Sequence, residues 1–164
     1  MNKLIIGIIV GILVLGGLAW IARPSTQNTT PAPTNGGKTL TVEEANNYDF
    51  GVISMAAGNV VHQFKVKNSG TGPVKIDYMY TSCMCTTASI TFGGRQFGPY
   101  GMPGHGFAPK INEVISSEEE AIIEVVFDPA AHGPAGVGPV ERAVYIEADN
   151  NEVLELLISA IVTP

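Results

Sequence analysis

"VVHQFKVK", residues 60–67, decides the fold class. Val60, His62, Phe64 and Val66 fall on one side of an extended chain, and Val61, Gln63, Lys65 and Lys67 on the other. A period of two over eight residues is the signature of a strand with one face on a core. "NSGTGP" (68–73) then supplies turn chemistry, and "VKIDYMY" (74–80) alternates again through Val74, Ile76, Tyr78 and Tyr80.

Working outward, "YDFGVI" (48–53), "TTASITF" (86–92), "AIIEVVF" (121–127), "VERAVYIEA" (140–148) and "VLELLISAIV" (153–162) read as further strands, with "ADNN" (148–151) as a hairpin-like turn. About seven short strands punctuated by Gly, Pro and Asn, without a long helix among them, predict an all-β, immunoglobulin-like two-sheet sandwich over residues 41–164. Its expected core is Phe64, Val66, Ile76, Tyr78, Ile122, Val126, Val144, Ile146, Leu156 and Ile158.

The amino-terminal end has a different character. "LIIGIIVGILVLGGLAWI" (4–21) contains no charge and reaches about 27 Å as a helix, close to the hydrocarbon thickness of a bilayer. Lys3 precedes it and Arg23-Pro24 closes it. The run is longer than the apolar part of a cleaved signal peptide, so residues 1–23 are expected to be a signal anchor and single transmembrane helix. "PSTQNTTPAPTNGGKT" (24–39) cannot bury a core, and the region 24–40 reads as a flexible linker. The expectation is a single-pass cell-membrane protein with its carboxy-terminal domain outside the cytoplasm. Of the nine Lys and Arg, Lys3 and Arg23 belong to the anchor region, which leaves seven against fifteen Asp and Glu beyond it. That balance argues against nucleic acid as a partner, because phosphate binding needs basic clusters.

Four motifs in order carry a family resemblance: Asp49-Phe50-Gly51; Phe64 with Asn68 and Gly70; Cys83-Met84-Cys85-Thr86; and Val125 with Phe127-Asp128-Pro129, followed by a late Asn150 turn. Together they resemble the bacterial domain-of-unknown-function family 1573, an immunoglobulin-like relative of the ASH and major-sperm-protein sandwiches. The resemblance spans about residues 48–162 and implies the sandwich fold but no reaction. Met84 stands where the family pattern has glycine, and a Gly-rich stretch follows the cysteines.

"YTSCMCTT" (80–87) holds the two cysteines of the chain. On an extended strand Cys83 and Cys85 point the same way with Cα atoms about 6.6 Å apart. Such a pair favours a shared metal or transient oxidation over a permanent cross-link, which needs a sharp bend. Met79 has the same parity. The stretch "FGGRQFGPYGMPGHGFAPK" (92–110) reads as a long loop able to fold back over the pair, bringing Met102 and His105; His132 is a further imidazole on another loop. Thiols, a thioether and an imidazole are soft donors that select Cu(I) or Zn. The competing readings are ordinary ones: cysteines as small buried side chains, and Met102 and His105 as loop packing. His62 reads as a core or edge histidine.

No G-x-S-x-G, H-E-x-x-H or phosphate loop occurs, and no histidine lies near Cys83 in sequence, so no enzyme is expected. The first functional expectation is a membrane-anchored, extracytoplasmic, non-catalytic module that recognises another envelope protein. The alternative is copper binding or delivery through Cys83 and Cys85 with Met102 and His105. A third is a thiol redox partner.

Overall fold

The structure, a computed structural model, describes residues 39–104 and 110–164, all within one compact unit. The expected membrane helix (1–23) and nearly all of the linker lie outside the described residues, as does His105. Among the described residues no helix is long and apolar enough to cross a membrane.

Ten strands form two five-stranded sheets. They are β1 (Leu40–Val42), β2 (Asn47–Ser54), β3 (Val60–Asn68), β4 (Val74–Thr81), β5 (Thr86–Phe92), β6 (Arg95–Tyr100), β7 (Glu113–Ile115), β8 (Glu120–Phe127), β9 (Gly138–Ala148) and β10 (Val153–Thr163). One sheet runs β1-β3-β8-β5-β6 and the other β2-β10-β9-β4-β7. All pairings are antiparallel except β2 with β10. The two-sheet sandwich is as expected, with three more strands. β1 and β7 are three residues each, too short for alternation to show. β6 was hidden in the glycine-rich stretch read as a loop. Gly93 and Gly94, at φ 56° and 72°, make a two-residue turn between Phe92 and Arg95, which pair across it.

The core is Phe64, Val66, Val74, Ile76, Met79, Ile90, Ile123, Val125, Phe127, Val144, Ile146, Leu156, Ile158 and their neighbours. Ile122 and Val126 are only half-buried. In "AIIEVVF" Ala121, Ile123, Val125 and Phe127 form the wholly apolar phase and take the inside, while Ile122 and Val126 share the outer phase with Glu124. Tyr78 is half-buried because the register shifts between Ile76 and Tyr78, which turns Met79 and Thr81 inward in its place. Met79 is therefore a core side chain. His62 is half-buried at the sheet margin, stacked on Tyr48 with ring centroids 3.6 Å apart and edge-on to Phe64. Burial there pushes its pKa down, partly opposed by Glu44.

Candidate functional site: the Cys83–Cys85 turn

β4 belongs to one sheet and β5 to the other, so the chain must cross the sandwich between Thr81 and Thr86. It does so in a tight turn, with the Thr86 N–H donating to the Cys83 carbonyl at 3.1 Å. Thr81 is buried, and its hydroxyl lies 2.9 Å from the carbonyl oxygens of both Cys83 and Thr86. The Ser82 N–H donates to Ala143 O, and the Ala143 N–H donates back to Ser82 Oγ, both at 2.9 Å. The Asp128 N–H reaches Cys85 O at 2.8 Å. β9 and the end of β8 thus hold the turn from two sides.

Folding this segment as a turn overturns the extended-strand premise. The Cα atoms of Cys83 and Cys85 are 5.3 Å apart and their sulfurs are bonded to each other. That separation lies in the range a disulfide needs. Cys85 is buried, 2% exposed, while Cys83 is half-buried and Met84 between them is 53% exposed.

Each sulfur has its own polar neighbour. His132 Nε2 lies 3.1 Å from Cys83 Sγ, and the Cys85 N–H is 3.4 Å from the same sulfur. Arg142 Nε donates to Cys85 Sγ at 3.1 Å, and its Nη1 donates to Glu141 O at 2.7 Å. The donor atoms of Cys83, Cys85 and His132 lie within 4.8 Å of one another.

Local sequence explains how His132 arrives there. Asp128 Oδ1 accepts from the Ala130 N–H at 2.8 Å and starts a turn just after β8. The Gly133 N–H closes on Ala130 O at 2.9 Å, and a 3₁₀ turn over Gly133–Gly136 folds back on His132. A Cβ at Gly136 would stand 3.3 Å from His132 Cβ. The Phe127-Asp128-Pro129 motif therefore both anchors the cysteine turn and aims the histidine.

Of the four expected ligands, Cys83 and Cys85 are brought together. Met102 follows Gly101, whose carbonyl accepts from the Thr81 N–H at 3.2 Å, so the backbone of this segment reaches the start of the turn. Among the described residues the imidazole at the sulfurs is that of His132. Sequence reasoning passed over Arg142 altogether. It occupies the same phase of β9 as Val144 and Ile146, so a cation on the core-facing side of a strand was the available signal.

Residues 40–95 match DUF1573, a family of proteins of unknown function. The resemblance seen in the sequence is borne out over this stretch, which runs from β1 to the start of β6 and includes both cysteines. His132 and Arg142 lie outside the DUF1573 match, as do the Asp128-Pro129 and Asn150 motifs.

Two solved structures similar to the chain are a protein of unknown function from Porphyromonas gingivalis and the seventh PapD-like (ASH) domain of human CEP192. The first is 13% identical with a TM-score of 0.54, covering 75% of this chain and 46% of that one. The second is 12% identical with a TM-score of 0.48, covering 86% of this chain and 96% of that one. The first likeness supports the fold alone, and the chain spans less than half of that relative's length. No curated protein matches the chain.

Proposed function

We propose that this domain is a thiol–disulfide exchange module that reacts with a partner protein's thiols, ahead of the non-catalytic and copper readings. The observation that carries the proposal is the asymmetric polar environment of one bonded pair: His132 on Cys83 and Arg142 on Cys85. An attacking partner thiolate reaches the half-buried Cys83 sulfur more readily than the buried Cys85 sulfur. The Cys83–Cys85 bond then breaks, its electron pair passing to Cys85, where the Arg142 guanidinium stabilises the new thiolate. The partner is left joined to Cys83. A second partner thiol attacks the partner's own sulfur, releases Cys83, and leaves the partner oxidised and the pair reduced. His132 stands where the proton for the departing Cys83 sulfur is needed.

A purely structural cross-link fits less well. Closing a loop this short restricts the unfolded chain by only about 1.5 kcal/mol. The apolar run 4–21 and the Pro/Thr-rich stretch after it support an immunoglobulin-type sandwich tethered outside the cytoplasm, where disulfides persist. The partner is then another envelope protein.

The test is equilibration of the folded protein in dithiol redox buffers, with counting of free thiols. Two thiols should appear together at a potential above about −300 mV, the region below which structural disulfides lie. Cys85→Ser should accumulate a mixed disulfide with glutathione through Cys83, and Cys83→Ser should do so far more slowly. A pair reducible only on unfolding would refute the proposal.

A further inference from the structure

We propose that the reduced form of this site is a Cu(I) site, with Cys83 Sγ, Cys85 Sγ and His132 Nε2 as three ligands in a trigonal arrangement. The proposal shares the reducible cysteine pair with the redox reading and otherwise stands on its own geometry.

Three donors at bond lengths of about 2.3 Å around one ion sit roughly 4 Å from each other. The present limit of 4.8 Å among these atoms, with Nε2 already 3.1 Å from Cys83 Sγ, asks for little movement of His132. The sulfurs must part once reduced, and χ1 rotation on Cα atoms 5.3 Å apart accomplishes it without moving the turn.

Donor softness and number choose the ion. Two thiolates and one imidazole suit Cu(I). Zinc in a structural site takes four ligands, and among the described residues this cluster offers three. Charge points the same way. Cu(I) with two thiolates carries a net −1, and Cys85 is buried, so a neighbouring cation is required. Arg142 Nε, 3.1 Å from Cys85 Sγ, supplies it. A Zn(II) bis-thiolate is neutral and would leave that guanidinium uncompensated. Exposed His132 marks the side from which the ion enters and leaves.

The state of the sulfurs gates the site. A dithiol donor passes two electrons and two protons to the Cys83–Cys85 bond and itself becomes a disulfide. Cu(I) then displaces the two thiol protons. Reoxidation of the pair by a partner disulfide removes two ligands and releases the ion.

The test uses the full chain in detergent, reduced and freed of reductant without oxygen, then titrated with Cu(I) against bicinchoninic acid. One Cu(I) per chain is expected for reduced protein and none for the disulfide form. His132→Ala should weaken binding at least tenfold, and Cys83→Ser with Cys85→Ser should abolish it. X-ray absorption of the wild-type complex should show two sulfurs and one nitrogen, independently of how any variant folds. No binding, equal binding by the double cysteine variant, or a sulfur-only shell would overturn the proposal. Thiol exchange measured on the same samples separates the two readings. Exchange without Cu(I) binding removes only the metal site, and Cu(I) binding without exchange removes only the redox function.

Discussion

The two ends of β8, about 25 Å apart along an eight-residue strand, solve different problems with similarly small polar side chains. At the Glu120 end stands Asn68, fully buried. Its amide nitrogen lies 2.9 to 3.1 Å from the carbonyls of Gly72, Ile115 and Ser116, and its side-chain oxygen accepts from the Gly70 N–H at 3.0 Å. Gly70 is there because a Cβ would stand 2.8 Å from Thr39 Cγ2. At the Phe127 end are the cysteine turn, His132 and Arg142. The Asn68 side chain is consumed wholly by backbone groups, which makes this end a pin. At the cysteine end the side chains meet one another and face solvent through His132 and Met84, which makes it the candidate site. The family pattern marks both ends, so motif residues alone do not separate structure from chemistry.

Breaking the pin should cost the most. Asn68→Ala leaves buried carbonyls without donors and should lower stability by about 3 kcal/mol, roughly 10 °C in Tm, with thiol exchange at Cys83 unaltered. Calorimetry with a parallel thiol assay checks it, and a loss of exchange in a folded variant would show that the ends are coupled. Reducing the disulfide should cost less, about 1.5 kcal/mol or under, with the sandwich still folded. Denaturant melts with and without reductant measure this, and a larger loss would make the cysteine end a staple as well. His132→Ala, at an exposed position, should change stability by no more than about 0.5 kcal/mol while slowing exchange.

The smallest effect concerns a second pin at Glu152, beside the start of β1. Burial raises its pKa, but hydrogen bonds from Thr39, Leu40 and Asn150 outweigh that and hold the carboxyl below its ordinary value. The stability it contributes is present above the unfolded-state pKa and is lost as pH falls through the lower folded one. Tm measured from neutral pH downward should therefore fall more steeply for wild type than for Glu152→Gln. Equal slopes would remove Glu152 from the acid transition.

The alternation in "VVHQFKVK" and "VKIDYMY" made the sandwich legible, since only a half-buried strand rewards that pattern. The phase of β8 was legible in Glu124, which shares its side of the strand with Ile122 and Val126 and so marks that side as the outer one. The cysteines were visible as candidates, but their disulfide was argued away on a straight strand. A two-residue gap closes only when the chain turns between sheets, and nothing in "SCMC" announces that crossing. His132, 49 residues from Cys83 in sequence, lies at its sulfur, a proximity that no spacing in the sequence announces.

By itself, then, the sequence determined seven of the ten strands, the β9–β10 hairpin at "ADNN", the likeness to DUF1573 and the cysteine pair as a candidate site. Local periodicity and turn chemistry are properties of neighbouring residues, so they survive without a fold. The tertiary structure decided the register shift that turns Met79 and Thr81 inward in β4, and it brought His132 and Arg142 to the sulfurs. Those depend on how β4, β8 and β9 stack, and packing acts between residues that the chain itself keeps far apart.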